Sequence, residues 1–278
     1  MMKEVIHPMD KYLRTEIFPT AFCPGCGCGT ILNLYTHAID ELGINPEEII
    51  SVTGIGCSSW IPSPYFKGDT LHTTHGRPIA FATGVKVMKP EKKVVVIAGD
   101  GDLAGIGGNH LLHASRRNIG LVVILVNNLN YGMTGGQVSP TTPCGIKTTT
   151  TPFGNSEYPI DIASVVAAAG ANYVARWTTF HFYQLKECIK EALNKKGFVF
   201  IEVISQCPTS YGKMTGLRTG LDFLKKFEKL SININYVKDR FFTDIEDKIV
   251  VGKIVVRERE EFANNLKKIN EEKIKSLQ

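Results

Sequence analysis

Gly99-Asp100-Gly101-Asp102 closes one short apolar run of this sequence, and Asn127-Asn128 closes the next. The stretch between them is long enough for a helix, so the two runs read as neighbouring parallel strands joined by a crossover. Ligands of open parallel sheets bind outside the carboxyl ends of the strands, which is where Asp100 and Asn128 would meet. A carboxylate, an amide oxygen and one carbonyl from the next loop, with Asn130 as its source, make a hard-oxygen set for Mg2+. Such a set leaves coordination positions for diphosphate oxygens. Gly99 and Gly101 allow close backbone approach, Asp102 shares their turn, and a helix start near Gly107 favours an anion. The plain alternative is a Gly-Asp-Gly turn and an unrelated strand-ending loop. Their pairing one crossover apart favours the cation site.

A second constellation is made of sulfur. Cys23 and Cys26 stand two residues apart, with Gly25 and Gly27 relieving the turn. Cys57, in Gly54-Ile-Gly-Cys57-Ser-Ser59, and Cys207, in Gln206-Cys207-Pro-Thr209, each follow a predicted strand. Four thiolates suit tetrahedral zinc or a 4Fe–4S cluster, and spacing does not separate the two. Cys28, Cys144 and Cys188 read as small buried residues, the usual fate of a free cysteine. His75 and Arg77 lie in a polar knot that opens a helix. They could meet a diphosphate or a substrate carboxylate, or merely cap the helix. Met133 and Thr134 follow the cation loop, so they could lie beside a cofactor. Met133 serves equally as packing.

Stepping outward along the chain, a helical pattern covers residues 30 to about 42 and a short strand covers 49–52. A helix follows through 79–88, then the strand 94–98, a helix starting within 105–109, and the strand 121–126. Residues 162–169 read as a helix, 173–175 as a strand, 182–194 as a helix and 198–204 as a strand. The alternation indicates one α/β domain, a parallel sheet flanked by helices. Residues 1–219 form the binding domain, and 220–278 form a peripheral C-terminal extension ending in a charged helical tail.

Bulk properties narrow the function classes. The chain has 278 residues, 43% hydrophobic, enough for one large buried core. No apolar run approaches the ~18 residues of a membrane span. The first residues lack an apolar signal core, so a cytoplasmic location is expected, where seven cysteines favour metal over disulfides. The net charge of +5 is mild and carries no aromatic-interleaved basic stripe, which argues against nucleic acid.

Gly99-Asp100-Gly101 through Asn128 resembles the motif of thiamine-diphosphate enzymes. Gly99-Asp-Gly-Asp-Leu-Ala-Gly-Ile-Gly-Gly-Asn-His110 and Asn130-Tyr-Gly-Met-Thr-Gly-Gly-Gln137 resemble a narrower group, the β subunits of 2-oxoacid:ferredoxin oxidoreductases. The likeness runs from about 22 to 211. It implies the thiamine-diphosphate-binding fold and three cofactors: thiamine diphosphate, Mg2+ and a 4Fe–4S cluster on Cys23, Cys26, Cys57 and Cys207. It further implies CoA-dependent oxidative decarboxylation of a 2-oxoacid to acyl-CoA and CO2, with one-electron transfers to ferredoxin. This cofactor class requires an activating glutamate, and no candidate stands beside the motif. The resemblance assigns it to a partner α subunit, with which further small subunits could assemble, so this chain has no catalytic residue of its own and is inactive alone.

Gly54-Ile-Gly-Cys57-Ser-Ser59 and the 250–256 segment resemble the 2-oxoglutarate-type subunits most. Trp60 departs from that pattern, because a basic side chain is expected there for a second substrate carboxylate. Lys67, Arg77 or the partner would then supply the charge, or the substrate is pyruvate or a branched-chain 2-oxoacid. The rival readings are a non-redox thiamine-diphosphate enzyme and a cluster-carrying electron-transfer subunit.

Overall fold

The computed structural model describes residues 7–237 and 248–276. Its centre is an eight-stranded sheet in the order β2-β1-β3-β4-β6-β5-β8-β7. Six strands run parallel: β1 (Ile49–Thr53), β2 (Asp69–His72), β3 (Lys93–Gly99), β4 (Leu121–Asn127), β5 (Tyr173–Thr178) and β6 (Val199–Ile204). The β3 and β4 runs are β-branched and buried throughout their middles, as strands covered on both faces must be.

Two apolar layers sandwich the sheet. One face packs on α1 (Gly27–Glu41) and α5 (Phe182–Asn194), through Ile31, Tyr35 and Ile39 against Leu185 and Ile189. The other carries α2 (Pro78–Met88), α3 (Gly108–Arg117) and α4 (Ile162–Ala169), whose Ile79, Leu111 and Val166 cover Val96, Val123 and Phe200. Leu112 of α3 is exposed, because only one side of that helix meets the sheet.

Two short elements, α6 (Lys213–Thr215) and α7 (Gly220–Leu230), follow the last parallel strand. From α7, Phe223 and Phe227 join Ile204, Cys207 and Tyr211 in a small cluster at the carboxyl end of the sheet. Beyond residue 219 lie β7 (Ser231–Asn233), β8 (Ile249–Val256) and α8 (Phe262–Ser276). β8 pairs antiparallel with β5 and β7 parallel with β8, so this segment extends the edge of the same sheet. Among the described residues no helix is long and apolar enough to cross a membrane.

The topology leaves a crevice where a ligand can enter. After β1 the chain places β2 on one side and β3 on the other. The loops leaving β1 and β3 therefore diverge, opening the carboxyl edge of the sheet between them.

Candidate functional site

β3 and β4 are adjacent and in register, with Gly99 opposite Val126, so the residues just beyond them share one rim. There Asp100, Asn128 and Asn130 converge. The Asn128 side-chain oxygen, as placed, lies 2.6 Å from the Asn130 carbonyl oxygen and 3.2 Å from Asp100 Oδ1. Three oxygens facing one another repel unless a cation sits among them. Turned over, the same amide would instead donate two hydrogen bonds. Either way these three groups are brought together, and they match the carboxylate, amide and carbonyl donors that Mg2+ takes.

The Asp100 carboxyl is 1% exposed, and burial raises its pKa to about 6 against the pull of Ser139 and Thr141. Ser139 Oγ donates to Oδ2 at 2.6 Å and Thr141 Oγ1 at 2.8 Å. Both hydroxyls hold one carboxylate oxygen and leave Oδ1 to the rim. Neither was assigned a role from sequence, where their loop carried no signal beyond its Pro-Thr-Thr composition.

The pocket at this rim is lined by Gly99, Asp100, Gly101 and Asp102 from the β3 side and by Asn128, Asn130, Met133 and Thr134 from the β4 side. Cys57 and His75 complete its wall, with Tyr131 as an unforeseen member. Asp102 Oδ1 accepts from the amides of Gly76 at 2.7 Å and Ile55 at 3.2 Å, and stands 2.6 Å from His75 Nδ1. Burial raises the Asp102 carboxyl against those amides and the His75 ring. Asp102 thus ties the loop after β1 to the start of α2 and orients His75. Its Oδ2, and Asn130 Oδ1, are buried polar atoms without partners, a condition a bound polar ligand would relieve. Among the described residues no glutamate lines this pocket.

Arg77 lies outside that lining, with Nη1 on the carbonyls of Gly76 and Ile106, each at 3.2 Å. Lys67 is engaged with Asp10 at 3.5 Å, and it does not reach the pocket either. A side chain at Gly54 would overlap Asp102 Oδ2, and one at Gly101 would overlap the Tyr131 ring, so both close approaches require glycine.

The four nominated sulfurs gather beside the same rim. Cys26 is the N-cap of α1, Cys57 opens a 3-10 turn after β1, and Cys207 follows β6. The Gly27 amide donates to Gln206 O at 3.1 Å, which fixes Cys26 beside Cys207. Burial pushes the Cys57 thiol up to about 12, and Cys26, Cys207 and Cys23 raise it further, so these three thiols lie near Cys57. A Cβ on Gly132 would lie 3.4 Å from Cys207 Sγ and 3.6 Å from Asn128 Nδ2. At Gly132 the sulfur group touches the oxygen rim. Among the described residues no three His, Cys, Asp or Glu side chains close on a point that would hold a single metal ion.

Cys28 and Cys188 are buried, the latter 3.3 Å from Tyr173 OH. Cys144, expected to be buried, is exposed on the loop after β4, because that loop packs through Thr142 and Asn155 instead.

Comparisons with known proteins follow this geometry. The family described as "Thiamine pyrophosphate enzyme, C-terminal TPP binding domain" matches residues 54–203. A "2-oxoglutarate synthase subunit KorB" of Methanocaldococcus jannaschii is 54% identical over 271 residues, covering 98% of this chain and 100% of the relative. The subunit of the same name from Methanothermobacter marburgensis is 48% identical over 267 residues, covering 96% and 93%. Among solved structures, a 2-oxoglutarate:ferredoxin oxidoreductase from Magnetococcus marinus, with 2-oxoglutarate, coenzyme A and succinyl-CoA bound, matches with a TM-score of 0.84. That match has 33% sequence identity and covers 98% of this chain and 92% of the other.

Proposed function

The chain belongs to the β subunits of the 2-oxoacid:ferredoxin oxidoreductases, and from that premise we propose that it is the thiamine-diphosphate-binding subunit of an enzyme acting on 2-oxoglutarate. With an α subunit it converts 2-oxoglutarate and CoA to succinyl-CoA and CO2, the electrons leaving through a 4Fe–4S cluster to ferredoxin. The single observation that carries the cofactor site is the convergence of Asp100, Asn128 and the Asn130 carbonyl at one strand rim.

Asp100, Asn128 and Asn130 would hold Mg2+, leaving its remaining positions to the diphosphate. Thiamine diphosphate supplies the carbanion for addition to a 2-oxo carbon and the electron sink for decarboxylation. The chain's own residues bind and orient. Gly99 and Gly101 admit the ligand close to the backbone, Asp102 holds the His75 ring at the wall, and Met133 and Thr134 flank the mouth. Since among the described residues no glutamate lines the pocket, the residue that activates the cofactor is assigned to the α subunit.

Cys23, Cys26, Cys57 and Cys207 would hold the cluster, which supplies one-electron redox chemistry. The influence of Cys23, Cys26 and Cys207 on the Cys57 thiol supports this set. Neither Lys67 nor Arg77 reaches the pocket, so the charge that meets the second carboxylate of 2-oxoglutarate also falls to the α subunit.

The test is to purify the subunit with its partner and follow viologen reduction with 2-oxoglutarate and CoA. The complex should contain about four irons and four sulfides per β chain, prefer 2-oxoglutarate over pyruvate, and lose activity when the β chain is assayed alone. A complex that turns over pyruvate better would overturn the substrate, and one carrying zinc without sulfide would overturn the cluster.

A further inference from the structure

Alternation along a strand sends every second residue to the same face. On the face covered by α2, α3 and α4, β3 presents Val94, Val96 and Ala98, and the next residue in step is Asp100. The neighbouring β4 presents Leu121, Val123 and Leu125, then Asn127. β6 presents Phe200 and then Glu202, while β5 presents Val174 and then Arg176. Four adjacent strands thus carry a polar residue on this face near their carboxyl ends: Asp100 is level with Asn127, and Glu202 is level with Arg176 two residues lower. All four are buried.

Hydrogen bonds join this row into one chain. Arg176 Nε donates to Glu202 Oε2 at 2.7 Å, and its guanidinium also donates to Asp161, the N-cap of α4. The other oxygen of Glu202 accepts from Asn127 Nδ2 at 2.8 Å. With its amide nitrogen committed there, Asn127 must turn Oδ1 the opposite way. That oxygen accepts from the backbone amide of Leu129 at 3.1 Å, and the Thr141 hydroxyl lies 2.9 Å away.

Leu129 is the informative end of the chain. Its φ is +64°, a left-handed conformation that a branched side chain disfavours, and such strain persists only where the surroundings impose it. Leu129 stands between Asn128 and Asn130, and its turn is what brings the Asn128 amide and the Asn130 carbonyl to face Asp100. We propose that Asn127, held by the buried Glu202–Arg176 pair, is the positioning residue of the cation loop: its side-chain oxygen fastens the left-handed turn at Leu129 that sets two of the three cation oxygens. Glu202 acts one step behind, by dictating which way the Asn127 amide points. The inference rests on the Mg2+ site proposed above.

The experiment titrates Mg2+ against thiamine diphosphate binding to the assembled complex, followed by calorimetry rather than turnover. Asn127→Ala should raise the half-saturating Mg2+ concentration about tenfold, the scale for losing a residue behind a metal ligand. Glycine adopts positive φ freely, so Asn127→Ala/Leu129→Gly should return to within about threefold of the native value. Glu202→Gln serves as the second route in. Its amide, keeping oxygen toward Arg176, presents NH2 to Asn127 Nδ2 and turns the Asn127 amide over. The defect should have the same direction, again relieved by Leu129→Gly.

General loss of packing would not be repaired by a glycine at position 129. If Asn127→Ala titrates like the native complex, or if Leu129→Gly fails to restore either variant, the positioning role is wrong. Should the native complex bind the cofactor without any Mg2+ dependence, the cation reading fails first and takes this inference with it.

Discussion

The oxygen rim and the sulfur corner touch at Gly132, yet they are built from different material. Asp100 and Asn127 sit at or just past the ends of β3 and β4, Glu202 and Arg176 sit one step inside β6 and β5, and hydrogen bonds run from Arg176 through Glu202 to Asn127, whose Oδ1 shares the Thr141 hydroxyl with Asp100. The sulfurs instead come from loops and a helix cap, with Cys23 exposed and Cys26 and Cys57 half-buried. An oxygen set on strand ends is in place before its cation arrives, because the sheet fixes it. A sulfur set on loops gains its order from the metal it binds, since binding and local folding are one process there. The two sites should therefore fail in different ways.

The largest effect separates them outright. Asp100→Ala removes the only carboxylate of the proposed cation set and should raise the Mg2+ needed for cofactor binding by on the order of 100-fold or more. Iron and sulfide content should stay unchanged. Cys207→Ser should do the reverse, losing the broad absorption near 400 nm (roughly, the thiolate-to-iron band) while thiamine diphosphate still binds. Loss of both cofactors in both variants, measured by acid release and iron analysis, would break the contrast.

Acid gives the next largest effect, and only at the rim. In the cation-free protein burial raises the Asp100 carboxyl to about 6 from 3.8, so the fold favours its protonated form. That contribution to stability is full below pH ~4 and is lost as pH rises through about 6, amounting to at most about 3 kcal/mol. Mg2+ competes with that proton, so its affinity runs in the opposite sense and falls about tenfold per unit below pH ~6. Asp100→Asn should reduce the stability slope between pH 4 and 6 in urea unfolding of the cation-free protein, leaving the part that the raised Asp102 carboxyl contributes. A slope unchanged by the substitution would locate the titrating group elsewhere.

How much of this could be read from sequence depends on the residue. Asp100 and Asn128 were legible because each ends a run of β-branched residues, and such runs in parallel sheets leave few arrangements for their ends. Glu202 falls inside the strand read over 198–204 and Arg176 just beyond the one read over 173–175, and neither stands out as a charge with a role, since the partner of each lies on another strand. Their pairing depends on the order β4-β6-β5, which spacing along the chain does not disclose. β2 escaped because its four residues are largely exposed and follow no apolar alternation. β8 escaped because its antiparallel place against β5 is a contact between distant parts of the chain. The side on which Arg77 falls was undecidable from composition: a cap-like knot and a ligand-binding knot use the same residues.

The smallest effect sharpens the sulfur side of the comparison. Cys28 lies two residues from Cys26, is 1% exposed and could be mistaken for a ligand. The two thiols are not equivalent. A hydrogen bond from Cys28 lowers the Cys26 thiol toward its thiolate form, while that same bond and then burial hold Cys28 well above its ordinary value. The thiolate binds iron and the thiol does not. In the proposed cluster set Cys26 would then be the ligand and Cys28 the donor. Cys28 also occupies the first turn of α1, packed into the layer that holds Ile31 and Tyr35. Cys28→Ala should keep the full iron and sulfide content and cost about 1 kcal/mol of stability from the lost packing. Its single distinctive trace should be in the cluster's reduction potential, because hydrogen bonds to ligating sulfurs stabilise the more negative, reduced cluster and raise its potential. Removing the Cys28 donor should lower that potential in an electrochemical titration of the complex. An unchanged potential with intact iron would leave Cys28 a packing residue alone, and lost iron would make it a ligand.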